Sequence, residues 1–197
     1  MQNTLVGEVV ESSTPQFMVA CYQLNGAPAF GSLVKAPMPD QGGWVYGVVY
    51  DVATGSEPPG ATVTVRGRAD LRDEAIYNEY PDLKEIMRTR FSALTVGFAE
   101  GGAIRQYLPP LPPPLHYSVY ACGDDDVRAF SEQLSYLRTI LTNLQIPADE
   151  LAAASIRQVR KSRPNDPTYT LRAGRQLALF LKEEYDRLRA ILERIGA

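Results

Sequence analysis

Two cysteines, one histidine, four lysines and a run of three aspartates are the residues with which this chain of 197 could do chemistry. Cys21 and Cys122 lie too far apart in sequence to suggest a disulfide framework, and neither sits in a zinc spacing. They read as two buried thiols in a reducing compartment. A cysteine nucleophile needs a histidine within reach. His116 and Cys122 could share a strand face, but no third group presents itself, and a core or rim histidine is the simpler reading. A single histidine rules out a histidine-rich metal site. Asp124, Asp125 and Asp126 could hold a hard cation. At the start of a helix they complement its positive end, which needs no cation.

Nucleotide chemistry can be decided on the lysines. A P-loop requires Gly-Lys followed by Ser or Thr, so that backbone amides surround the phosphates and the lysine reaches them. Lys35, Lys84, Lys161 and Lys182 follow Val34, Leu83, Arg160 and Leu181. Nucleotide hydrolysis by that route is excluded. The segment EGGAIR (100–105) lacks a G-x-G-x-x-G pattern and reads as a β-turn.

The positive signal is a basic cluster. Arg157, Arg160, Lys161, Arg163, Arg172 and Arg175 share a stretch whose only acid is Asp166. Arg157, Arg160 and Lys161 stand at i, i+3 and i+4, on one helical face. Cations at a helix C-terminus complement its dipole, which accounts for Arg160, Lys161 and Arg163 but not for Arg172 and Arg175. The alternative is an anion-facing patch for nucleic-acid phosphate or an acidic partner. Tyr169 is the sole aromatic nearby, few for single-strand stacking.

The elements that must position these residues change character along the chain. The first half is written in strands: 6–12, 16–22, 32–36, 44–52, 61–65 and 90–99 are short, rich in Val, Tyr, Phe and Thr, and bounded by turn residues. Turns are expected at 24–28, 39–43 and 53–60. In WVYGVVYDV, Trp44, Tyr46, Val48, Tyr50 and Val52 share one face and Val45, Gly47, Val49 and Asp51 the other. Both faces are largely apolar, which predicts a central strand. Residues 70–88 break the pattern with short helical turns around Pro81. LPPLPPPL (108–115) cannot be a central strand. It reads as a stiff crossover, with HYSVYAC (116–122) as a last strand; the PxxP spacing of Pro109 and Pro112 is the alternative, a polyproline ligand.

After Gly123 the periodicity is helical. Val127, Phe130, Leu134, Leu137, Leu141 and Leu144 form one stripe, 148–162 a second helix, and 170–195 a long third with Leu177, Leu181, Leu188, Leu192 and Ile195 on one side. The fold expected is α+β: a small antiparallel β-barrel over 1–122, with a helical insertion near 70–88, and about three helices over 123–197. Net charge is −3, against a dedicated nucleic-acid binder. The start of the chain lacks a signal-peptide pattern and no apolar run has membrane-spanning length, so a cytoplasmic protein without membrane contact is expected.

VGEVVES, then FGSLVKA, then WVYGVVYDVATG, resembles the barrel that opens HerA-type DNA-translocating ATPases and the catalytic subunits of rotary ATP synthases, the HAS barrel. The matching features are Gly7-x-Val9-Val10, Gly31-Ser32-Leu33-Val34 and Gly47-Val48-Val49-Tyr50-Asp51. The resemblance covers residues 1–55 and, more loosely, 89–122. It implies a module that holds rings together and docks partners such as the nuclease NurA, here without the motor domain and with no catalytic residue to transfer. A non-catalytic, cofactor-free assembly protein is therefore expected, oligomeric or bound to a HerA-like ring ATPase. The alternative is an OB-like nucleic-acid binder using 157–175, and a third reading, an enzyme, rests on His116 and Cys122.

Overall fold

The computed structural model describes residues 3–39, 42–57 and 63–196. Seven strands and seven helices are found among them: β1 (Thr4–Ser12), β2 (Gln16–Cys21), β3 (Leu33–Pro37), β4 (Trp44–Ser56), α1 (Glu74–Glu79), α2 (Leu83–Ile86), β5 (Met87–Glu100), β6 (Ala103–Arg105), β7 (Ser118–Ala121), α3 (Asp124–Phe130), α4 (Tyr136–Leu141), α5 (Ala148–Lys161), α6 (Thr168–Phe180) and α7 (Tyr185–Ile195). The sheet runs β2-β1-β7-β3-β4-β5-β6, and β2 also pairs with β5. Six strands thus close into an antiparallel barrel, with β6 hairpinned onto the outgoing half of β5.

The two apolar faces of β4 have separate destinations. Val45 and Val49 point into the barrel with Val9, Phe17, Val19, Phe91, Phe98 and Val119. Tyr46 and Val48 point outward, where Leu33, Leu94 and Val96 join the helices in a second core. A strand buried on both sides must be apolar on both, as the pattern of 44–52 predicts. Small barrels are filled by side chains, and Gly47 makes room for one: a Cβ there would lie 2.9 Å from the Phe17 ring. Register shifts at Tyr46/Gly47 and Val49/Asp51 of β4 add the local twist and bending that closure needs.

Beyond the barrel, β4 and β5 continue as a two-stranded ribbon, Thr54–Ser56 against Met87–Thr89. Its far end carries the insertion, and α1 and α2 are the short helical turns expected on either side of Pro81. Two expectations need correction here. The strand expected at 61–65 is absent over Val63–Val65, where Val65 is 93% exposed; residues 61–62 lie outside the described residues. Of the turn expected at 53–60, residues 53–56 are strand, because β4 runs to Ser56; 58–60 are outside the described residues, as are 40–41 of the turn expected at 39–43. The β-turn expected at 100–105 is present as the turn of a hairpin: Gly101 and Gly102, at φ 57° and 81°, lead the chain from β5 into β6, the backbone that two-residue hairpins require.

The helical region holds five helices, α3–α7, rather than about three. The stripe expected to run unbroken from Val127 to Leu144 is cut after Phe130 and ends at Leu141, leaving Leu144 94% exposed. A side chain from outside the region stabilises the cut. Gln106 donates to Phe130 O (2.8 Å) and Gln133 O (3.0 Å) and accepts from Tyr136 N (3.0 Å). These are backbone groups that a continuous helix would satisfy internally. The helix expected at 170–195 is likewise cut at 181–184. Unbroken, it would be about 39 Å long; broken, α7 packs on α5 and buries Ile191 and Ile195. Arg187 sits at this joint, donating to Asp149 (2.7 Å), Glu184 (3.0 Å) and Leu141 O (3.2 Å).

Helix α5 is the centre of the bundle. Its buried face is Leu151, Ala152, Ala153, Ala154, Ser155, Ile156 and Val159, and the small residues allow close approach. The loop before β3 uses this: Gly31, at φ 84°, lies so near α5 that a Cβ would be 2.7 Å from the Ala154 carbonyl carbon. Among the described residues no helix is long and apolar enough to cross a membrane.

Candidate functional site

The six residues of the basic cluster part company in the structure. Arg163 is 8% exposed. Its guanidinium donates to Arg128 O (2.6 Å), Glu132 (2.6 Å), Ser131 Oγ (3.2 Å) and Asp166 (3.3 Å). Arg172 reaches Asp166 at 3.3 Å and Glu132 at 3.7 Å. Both guanidiniums lie against the buried Tyr169 ring, at 5.2 and 5.8 Å from its centroid. A cation that satisfies a carbonyl, a hydroxyl and two carboxylates is not available to an external phosphate.

This network fastens the α3–α4 turn to the α5–α6 turn. The Arg163 hydrogen bond holds the Glu132 carboxyl below the usual carboxylate range. Asp166 is held low first by Thr168, then by Arg172 and Arg163. Burial pushes the Tyr136 and Tyr169 phenols up, and the Tyr136 hydroxyl lies 3.3 Å from Ser155 Oγ. Arg157 donates to Arg194 O in the last turn of α7, a dipole-complementing role, although on a neighbouring helix rather than its own.

Arg160, Lys161 and Arg175 remain exposed. Lys161 donates to Gln158 at 3.0 Å, whereas the Arg160 and Arg175 side chains have no hydrogen bond or ion pair among the described residues. Two of the three lie at the end of α5, and Arg175 lies on the outward side of α6.

The aspartate run is divided as well. Asp125 pairs with Arg128 at 2.6 Å, Asp124 accepts from Ser162 Oγ at 2.8 Å, and Asp126 pairs with Lys35 at 2.5 Å. The Lys35 contact was invisible in the sequence. Lys35 follows Val34, which faces the barrel interior, and therefore points outward under α3, where it is 5% exposed. Its ammonium also lies 4.3 Å from the Trp44 ring centroid, and Trp44 meets Tyr120 edge-on at 5.8 Å. A charged pair beneath an aromatic lid thus joins barrel to helices. Beside it is a cleft of about 270 Å³, lined by Leu33, Cys122, Val127, Gln158, Lys161 and Ser162 among others.

Neither thiol is set up as a nucleophile. Burial pushes Cys21 up to about 11; burial and then the Asp126 carboxylate push Cys122 up further, against a smaller opposing effect of Lys35. A nucleophilic cysteine needs the opposite shift. His116 is largely exposed, at φ 63°, with its imidazole 3.5 Å from Glu8. Among the described residues no group of three His, Cys, Asp or Glu could hold a metal ion.

The proline-rich stretch is the crossover from β6 to β7. Tyr107 packs edge-on against Phe98 at 5.4 Å, Ser12 Oγ donates to Pro113 O, and Val9 N donates to Tyr117 O at 3.0 Å. Pro109 and Pro113 are buried, so Pro109 is not free to act in a PxxP ligand. The residues between and around them project outward: Tyr107, Leu108, Leu111, Leu115 and Tyr117 are 39–59% exposed. From Gln106 to Leu115 there is no charged residue. Its outward apolar row depends on which prolines are anchored, which composition does not reveal.

A family model, the HAS barrel domain, matches residues 6–93. The matched segment runs from β1 into β5, and β7, from beyond it, completes the closed ring of strands. No curated protein matches the chain.

Proposed function

We propose that this chain is a non-catalytic binding and assembly protein whose HAS barrel contacts other barrels, either its own copies or those of a HerA-type ring ATPase. The supporting observation is the uncovered ridge at 107–117. Helices bury the outward side chains of β3, β4 and β5, while the crossover presents five large apolar side chains on a proline-stiffened backbone held to β1 and β5. Such a row costs little entropy to immobilise, because proline has already fixed the chain. Exposed apolar surface of this kind marks interaction sites. Closure of the barrel leaves no free edge within its ring of six strands, so association at the ridge goes through side chains rather than strand addition.

Size-exclusion chromatography with light scattering, combined with a pull-down on a purified HerA-type ATPase, tests the proposal. A protein that is strictly monomeric and is not retained by the ATPase overturns it.

A second reading, nucleic-acid binding, draws on exposed Arg160, Lys161 and Arg175. Three cations limit the salt dependence: log K against log salt should slope by no more than about −3. Absence of binding at low salt rejects this reading.

A further inference from the structure

Helix α6 has two faces of opposite fate. Tyr169, Ala173 and Leu177, spaced i, i+4, i+8, are fully buried. Leu171, Arg175 and Leu179 repeat that spacing two residues later, about 200° around the helix, and so point away from the bundle. Leu171 is 56% and Leu179 59% exposed. Leucines flanking an arginine that has no partner among the described residues are not the ordinary polar outer face of a surface helix. From Pro167 to Lys182 the chain contains no acid, while Arg172, Arg175 and Lys182 are basic.

The insertion on the β4–β5 ribbon has the complementary character. Residues 70–86 contain six acids and two basic residues. Asp73, Glu74, Glu79, Asp82 and Glu85 are exposed and form no ion pair among the described residues. Apolar groups accompany them: Ile86 is 45% exposed and Val65 93%. The insertion packs on the ribbon through α2, at the far end of β4 and β5 from the bundle's attachment.

We infer that the outward face of α6 is a docking surface for a second copy of this chain, which it receives through the acidic 70–86 insertion. Leu171 and Leu179 bury Ile86 and its neighbours, and Arg175 and Lys182 meet the carboxylates of α1 and α2. The two surfaces are different patches of one molecule, so the contact is head-to-tail: it closes into a ring if the rotation permits and otherwise grows open chains. The inference is independent of the barrel ridge, which takes no part in this contact.

A charge-swap experiment on the full chain tests it. One variant carries Arg175→Glu and Lys182→Glu, the other Glu74→Lys, Glu79→Lys and Asp82→Lys. All five positions are exposed, and circular dichroism and thermal melts verify that each variant is folded. Sedimentation at low and high salt should show wild-type assembly that weakens as salt rises. Each variant alone should associate at least about tenfold more weakly, since like charges now face each other. An equimolar mixture should regain assembly, because each variant's insertion then meets the opposite charge on the other's α6. Leu171→Ser with Leu179→Ser should weaken assembly without altering its salt dependence. A wild type monomeric at low salt, variants that assemble like wild type, or a mixture that stays dissociated each overturns the inference. So does a monomer that binds duplex DNA through Arg175. Loss of assembly only on substitution of Leu111 and Leu115 overturns it in favour of the ridge.

Discussion

Replacing Lys35 with methionine is expected to destabilise the whole fold by about 2–4 kcal/mol. Lys35 is 5% exposed, and its ammonium lies 2.5 Å from an Asp126 oxygen and 4.3 Å from the Trp44 ring centroid. Removing one partner of a buried pair costs about 3–5 kcal/mol, because the other charge is left without compensation. The Asp126 side chain is 25% exposed, so water recovers part of that loss, and the lost contact with Trp44 adds about 0.5–1 kcal/mol. For a chain of this size the net effect lowers the melting temperature by about 5–12 °C. The double variant Lys35→Met/Asp126→Leu should recover to within about 1 kcal/mol of wild type, since both charges are then gone. Urea unfolding followed by circular dichroism and by Trp44 fluorescence gives the four corners of the cycle. One cooperative transition is expected, because barrel and helices share the core of Leu33, Tyr46, Phe130, Leu137 and Ile156. A single variant that loses under about 1 kcal/mol, or a double variant as unstable as the sum of the singles, refutes the reasoning.

Gln106→Ala should cost about 1–3 kcal/mol, because it leaves three backbone groups of the α3–α4 turn without their partner, and hydrogen exchange at Tyr136 should accelerate; exchange unchanged there contradicts the assignment. Gly31→Ala should destabilise by more than the ordinary glycine-to-alanine effect, since it adds a Cβ at φ 84° against the α5 backbone; a neutral melt is the contrary outcome. Arg163 depresses the Glu132 carboxyl, so its stabilisation is present above the ordinary carboxylate range and is lost as pH falls through the depressed folded-state value. Stability of Glu132→Gln, measured by urea titration, should therefore vary less than that of wild type between about pH 5 and pH 3; identical slopes disprove the link. Both thiols should resist a disulfide reagent at about pH 8 until the protein unfolds, and rapid labelling of the native protein contradicts the shifts given for Cys21 and Cys122.

The barrel was legible because strands buried on two sides carry their pattern locally. Val45 and Val49 against Tyr46 and Val48 announce two cores, and Gly31 and Gly47, among the residues that carried the resemblance, prove to be close approaches. The breaks in the helical half were not legible. The stripe from Val127 to Leu141 is continuous in sequence, and what divides it is Gln106, a side chain from another element. The basic cluster misled for a related reason. Counting charges between 157 and 175 leaves out Glu132, which comes in from the α3–α4 turn and with Asp166 holds Arg163 and Arg172. Lys35 and Asp126 carried no mutual signal at all, since their pairing depends on the closing of the β3–β7 seam beside α3. Local pattern fixes which faces are apolar, whereas long-range packing decides which charges are left free.

The claim that the barrel works by contact through its uncovered ridge is tested most directly by Leu111→Glu with Leu115→Glu. Light scattering of this variant, alone and mixed with a HerA-type ATPase, is compared with wild type and with Arg175→Glu. The account predicts that the ridge variant melts like wild type yet loses the barrel contact, while Arg175→Glu keeps it. A ridge variant that retains every wild-type complex contradicts the account.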